Sequence, residues 1–174
     1  MKESKVYRLV LAGLFLALAM VLPFLTGQIP EVGAMLCPMH FPALLAGFFC
    51  GGPWGAAVGF VAPLLRSLPF GGRPPMFPTA VCMAFELAAY GFIAGYLYRL
   101  LPKRKSSVYI ALLSAMVIGR LVWGAASFVC TGLDANAFGL AAFWAGAFTT
   151  ALPGIIAQIV IIPVLVMILD RHRR

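Results

Sequence analysis

Charge is what this chain has least of. Only 10% of its 174 residues are charged, five of them acidic, while 63% are hydrophobic. Soluble domains carry about a quarter charged residues and near half apolar, so water is excluded as the main solvent. The signatures of common chemistries are missing too. There is no G-x-x-x-x-G-K-[ST] loop to cradle phosphates, which excludes ATP hydrolysis by that machinery. Neither G-x-S-x-G nor H-E-x-x-H occurs. The four cysteines, Cys37, Cys50, Cys82 and Cys130, make no C-x-x-C. A lone C-x-x-H, Cys37 with His40, falls short of the four ligands of structural zinc and reads as loop packing. Cys37 and Cys130 both fall near one face of the membrane, which leaves a disulfide between them open. No internal repeat is visible, against carriers built from two inverted halves. No metal, no cofactor and no catalytic residue is expected.

What is present is a succession of long apolar runs. A spanning helix needs roughly 20 apolar residues, so the length accommodates about six helices, short loops and no soluble domain. The fold class expected is therefore all-α, a polytopic six-helix membrane bundle forming a single domain over residues 1–174. The spans fall at about 6–25, 39–50, 53–70, 77–101, 108–130 and 140–169. The first follows Lys2, Lys5 and Arg8 without a clear cleavage site and reads as a retained helix. Residues 28–38 read as an outer loop, followed by a tight hairpin of two short helices around Gly51-Gly52-Pro53. Residues 71–75, with two glycines and two prolines, form another loop, and 131–139 a third. The last helix is long enough to begin as a separate turn outside the membrane.

The net charge of +8 reflects placement rather than affinity for nucleic acid. Ten of the 13 basic residues fall into three clusters: Lys2, Lys5, Arg8; then Arg99, Lys103, Arg104, Lys105; then Arg171, Arg173, Arg174. All three can lie on one side of the bilayer, the positive-inside pattern. Both termini are then cytoplasmic in a multi-pass protein of the cell membrane, with anionic lipid as the partner of the basic rim.

Apart from Arg8 and Arg99 of the basic clusters, three charged residues lie within the expected spans: Arg66, Glu86 and Arg120. Charge at membrane depth is costly, so such residues face the interior or a cavity. At a rise of about 1.5 Å per residue, Glu86 and Arg120 both lie about 14 Å from the outer surface on consecutive helices. They can meet, as a structural pair or as the floor of a ligand cavity. Arg66 is near a helix end, where snorkelling is easy. The three leave one net positive charge, which suits a ligand carboxylate, and Glu86 can also accept hydrogen bonds from a ligand. Phe85, Tyr90, Trp123, Phe128 and Trp144 lie near that depth. Trp123 reads as one turn below Arg120, too deep for an interfacial belt. Trp144 suits either a belt or a cavity wall, and Gln158 needs a partner in protein or ligand. Small residues at i, i+4 spacing, Gly13/Ala17, Gly55/Gly59 and Gly91/Gly95, permit close helix approach. Most such faces pack internally; one left open to lipid on the first helix would dock another membrane protein.

Taken in order, these features resemble a family. LVLAGLFLALAMVLP behind a basic start, FPALLAGFFCGGPWGAAVGFVAPLLRSL and FPTAVCMAFELAAYGFIAGYLYR together look like a substrate-binding (S) component of an energy-coupling factor (ECF) transporter, the vitamin-uptake branch of ABC importers. The resemblance covers nearly the whole chain. It implies six helices, cytoplasmic termini and an outward-facing vitamin site built from outer loops and helices four to six. It also implies work with a membrane coupling subunit and two ATPase subunits. Docking in that family uses A-x-x-x-A on helix one, here Gly13-Leu-Phe-Leu-Ala17, with Gly for the first Ala. The expected substrate-binding residues are Arg66, Glu86, Tyr90, Arg120, Trp123, Trp144 and Gln158, with Gly13 and Ala17 for docking. The readings from other classes are an intramembrane enzyme using Glu86 and Arg120, which the missing catalytic motifs disfavour, and a structural membrane subunit without a ligand.

Overall fold

The structure is a computed structural model that describes residues 4–26, 29–69, 74–102, 104–131 and 143–172. Lys2, Lys103, Arg173 and Arg174 of the basic clusters, most of the 71–75 loop and the 131–139 loop beyond Thr131 lie outside these residues. Among the described residues the secondary structure is entirely helical. Seven α-helices are present among them: α1 Lys5–Val21, α2 Pro30–Leu36, α3 His40–Cys50, α4 Gly52–Ser67, α5 Val81–Leu100, α6 Lys105–Cys130 and α7 Leu152–His172. Among the described residues four segments are long and apolar enough to cross a bilayer: Lys5–Leu25, Met76–Leu100, Lys105–Cys130 and Leu152–Leu169. At about 1.5 Å per residue, α3 and α4 reach only about 17 and 24 Å, short of a hydrocarbon core of about 30 Å.

Several boundaries differ from expectation for local reasons. The 28–38 stretch is not wholly loop: Pro30 starts a two-turn helix, which the left-handed Cys37 (φ 48°) ends. α5 begins at Val81 rather than Phe77, because a residue before proline is pushed out of the helical region; Phe77 is extended at φ −123°, ψ 136°. α6 starts at Lys105, three residues earlier than the hydropathy suggests, with the Ser107 hydroxyl donating back to the Pro102 carbonyl. The expected helix 140–169 is broken. A wide turn over Ala145–Thr149 precedes α7, and Pro153 sits in the first turn of α7, where its missing N–H costs nothing.

α5 is the central helix, packed against α3, α4 and α6. Glycines let its backbone touch its neighbours. A methyl group at Gly55 would stand 2.6 Å from the Gly47 Cα and 2.7 Å from the Gly91 carbonyl oxygen. Main-chain dispersion contacts thus replace side-chain interdigitation where α3, α4 and α5 meet. At one end of the bundle, Gly51 (φ 97°) reverses the chain between α3 and α4. Arg99 donates to the Cys50 carbonyl at 2.8 Å, satisfying an end carbonyl of α3.

That contact orders the molecule. The α3–α4 turn, the end of α5 and the start of α6 share one end, with Arg99, Arg104 and Lys105. At the opposite end Arg66 of α4 donates to the Met20 carbonyl of α1, so Lys5 and Arg8 at the start of α1 join the basic end. Gly154 in the first turn of α7 packs on Met35 and Leu36 of α2, so α7 also runs toward the basic end. On α1, Gly13 faces outward: a methyl there would meet nothing within 4 Å. Ala17 is likewise exposed, unlike the glycines of α4 and α5.

Candidate functional site

The end opposite the basic residues holds a cavity of about 380 Å³, toward the small end of the roughly 300–1,000 Å³ usual for ligand sites. Its wall combines apolar side chains (Ile29, Met39, Met83, Trp123, several prolines) with a few polar ones (His40, Arg66, Glu86, Arg120) and two threonines, Thr79 and Thr150. The two positions α2 and α3 supply at its base, Cys37 and His40, are brought in by the left-handed turn that ends α2.

Glu86 of α5 is the centre of the floor, only 1% exposed. Its Oε1 lies 2.9 Å from Arg120 Nη1 of α6 and 3.3 Å from His40 Nε2 of α3. The equal depth of Glu86 and Arg120, inferred from helix rise alone, does bring them together. Arg120 Nη2 also reaches the Cys37 sulfur at 3.8 Å, and the Tyr90 ring sets the His40 ring edge-on at 5.1 Å. The contacts to Glu86 are close but poorly aligned. Oε1 of Glu86, both ring nitrogens of His40, Nε of Arg120 and the Tyr90 hydroxyl are buried without a hydrogen-bond partner among the described residues. Burial pushes the Cys37 thiol above its ordinary range, against the pull of the Arg120 charge.

Four of the seven expected site residues, Arg66, Glu86, Arg120 and Trp123, line this one cavity. Arg66 does not snorkel: it is 3% exposed and its guanidinium lies 5.3 Å from the centre of the Phe24 ring. Trp123 sits toward the Cys130 end of α6, the cavity end, so it is above Arg120 rather than below it. It stacks on Phe143 at 6.2 Å. The other three residues are elsewhere. Tyr90 lies under the floor and touches the site through His40. Trp144 is 58% exposed and not on the cavity wall; its ring meets Phe143 edge-on at 6.2 Å. Gln158 is buried off the cavity wall, with neither amide atom hydrogen-bonded among the described residues. Cys37 and Cys130 are not joined by a disulfide; Cys37 contacts Arg120, and Cys130 lies beside Cys82.

His40, which reads from the sequence as loop packing, lies instead on the cavity wall. Its local setting, C-x-x-H, raises only the question of metal, and the described residues hold no group of three metal-ligating side chains. The usable signal was a histidine opening an apolar helix, with no solvated neighbour to keep it at the surface. Comparison with curated proteins and with solved structures yields no match. The family model described as "ECF transporter, substrate-specific component" matches residues 7–166. A membrane bundle with a cavity at one end, matched over nearly its full length, belongs to that family: the chain is a substrate-specific component of an ECF transporter.

Proposed function

We propose that this subunit captures a vitamin or related micronutrient from the outer face of the cell membrane and delivers it inward, with ATP hydrolysed by two partner ATPase subunits linked through a membrane coupling subunit. The observation that carries this reading is the buried Glu86–Arg120 pair at the base of an otherwise apolar cavity. Ionisable groups at membrane depth are expensive and mark substrate sites, and a few fixed polar groups in an apolar pocket orient a small ligand. Arg66, Glu86, Arg120 and Trp123 contact the substrate, with His40 beside them.

The chain crosses the membrane six times with both ends in the cytoplasm, α3 and α4 serving as two short crossings. Lys5, Arg8, Arg99, Arg104 and Lys105 at the end away from the cavity support this orientation through the positive-inside rule. The cavity then opens outward. Gly13 and Ala17 dock the coupling subunit. Their exposure on α1 supports that role, since small residues admit a partner helix to close range.

The test is to purify the protein from cells grown in rich medium and identify the bound small molecule by mass spectrometry. ATP-dependent uptake of that compound is then measured with the coupling and ATPase subunits present and absent. A co-purified micronutrient whose uptake needs all subunits is the expected result. A folded protein with no bound compound and no uptake would refute it.

A further inference from the structure

Three charged side chains counted along the sequence leave one positive charge and suggest a carboxylate ligand, but the spatial arrangement argues otherwise. Arg120 is not an open cation. Its guanidinium lies against Glu86 and the pair cancels. Arg66 belongs to the wall formed by α1 and α4, where it donates to the Met20 carbonyl, and not to the floor. The floor proper is Glu86, Arg120 and His40, in which the one carboxylate is matched by the one guanidinium 2.9 Å away.

The same three side chains have hydrogen-bonding capacity left over, and it is of both kinds. Arg120 Nε is an unspent donor. Glu86 Oε1 is an acceptor without an aligned donor, and both His40 ring nitrogens are unpartnered among the described residues, at least one of them an N–H donor. His40 is 3% exposed and on the cavity wall. Buried polar atoms left unsatisfied cost roughly 1–3 kcal/mol each, so the occupant of this cavity is selected by what it returns to them. A carboxylate returns acceptors only. It would leave the acceptor of Glu86 unmet and bring a second negative charge beside it in a low-dielectric site. An uncharged group with N–H next to C=O satisfies both sides.

Resting on the proposed capture role, we infer that the floor recognises an uncharged donor–acceptor edge, an amide, lactam or imide, on a small ring-bearing ligand. The ring packs between Met39, Met83 and Trp123, and His40 is a specificity-determining contact.

Amide and acid pairs on identical rings test this directly: pyrazinamide against pyrazinoate, nicotinamide against nicotinate, and 1-naphthamide against 1-naphthoate. Binding to the full-length protein in nanodiscs is measured by calorimetry. The expected result is that in at least one pair the amide binds more tightly by about tenfold or more, equivalent to about 1.4 kcal/mol. Equal affinities, tighter binding of the acids, or no amide binding in any pair would overturn the inference. Glu86→Gln removes the compensating charge and should shift preference toward the acid. Should that variant not fold, the double variant Glu86→Gln/Arg120→Gln, with no buried charge in the pair, should keep the preference for the amide. A preference for the acid in the double variant would overturn the inference. Failure here is separable from failure of the capture role: a co-purified carboxylate micronutrient with subunit-dependent uptake would sink only the edge, whereas no bound compound and no uptake would sink the role itself.

Discussion

Breaking the Glu86–Arg120 pair should affect the two partners unequally. Both are in the bundle interior, and removing one member of a buried pair costs about 3–5 kcal/mol, chiefly because the other charge is left uncompensated. Glu86→Gln leaves a guanidinium that cannot deprotonate, with the Cys37 sulfur and the unaligned ring of His40 nearby. It should carry the full cost. Arg120→Gln leaves a carboxylate with His40 Nε2 at 3.3 Å, a ring that can turn to donate a hydrogen bond to it, and the introduced amide can donate as well. Its cost should be smaller, on the order of 1–2 kcal/mol less. The double variant removes both charges and should lie well below the sum of the singles, giving a coupling of at least about 1 kcal/mol in a double-mutant cycle. Reversible unfolding in mixed detergent–SDS micelles measures the stabilities, and ligand affinity is measured separately on the folded fraction. Costs under about 1 kcal/mol for both singles, or an additive double variant, would show that the pair is not a buried compensating unit. Loss of folded yield with full affinity in the surviving protein would make it purely structural.

The glycine contacts predict a sharp contrast: Gly55→Ala should lose most folded yield in size-exclusion chromatography, since overpacking costs about 1–3 kcal/mol or more, while Gly13→Ala should be neutral. Gly13→Trp and Ala17→Trp should abolish uptake by the assembled complex yet leave ligand binding to the isolated subunit intact; loss of binding would place the stripe in the core. A cysteine introduced at Ser106 should resist labelling from outside the cell and one at Asn136 should react, and the reverse would invert the topology. Because burial raises the thiol of Cys37, its alkylation should be slow at neutral pH and accelerate as pH rises through and beyond the ordinary thiol range, and bound ligand should slow it further; a rate matching an exposed cysteine would remove it from the cavity.

Much of the architecture is readable without coordinates because a bilayer restricts the options. Backbone groups in hydrocarbon must bond within their own helix, so apolar runs become helices and the glycine and proline clusters become their ends. Misreadings fall where a local backbone rule overrides hydropathy. Phe77 is excluded from α5 by the proline after it, and the last apolar run breaks near Thr150 ahead of Pro153. The 28–38 stretch, too polar to count as a span, still winds into α2 because helix formation there needs only a proline start and a left-handed stop.

The candidate site divides in the same way. Glu86 and Arg120 are legible because depth is a one-dimensional quantity: helix rise converts residue number into distance from the membrane surface, and a charge at that depth needs compensation. Which other groups share their space is a matter of azimuth and of which helix ends curl inward, and a single chain of letters does not contain it. His40 enters because the Cys37 turn aims the start of α3 under Glu86. Trp144 stays outside, exposed and edge-on to Phe143, and Gly13 faces outward while Gly55 and Gly91 are buried because α5 lies at the centre of the bundle. A membrane-embedded helical protein with one basic end and a buried charge pair can be read from the residues alone, since solvent, helix rise and charge cost act residue by residue. That the two charges compensate each other, that a histidine joins them and that hydrogen-bonding capacity is left over emerges from the packing, because these are properties of distances and angles between side chains from three different helices.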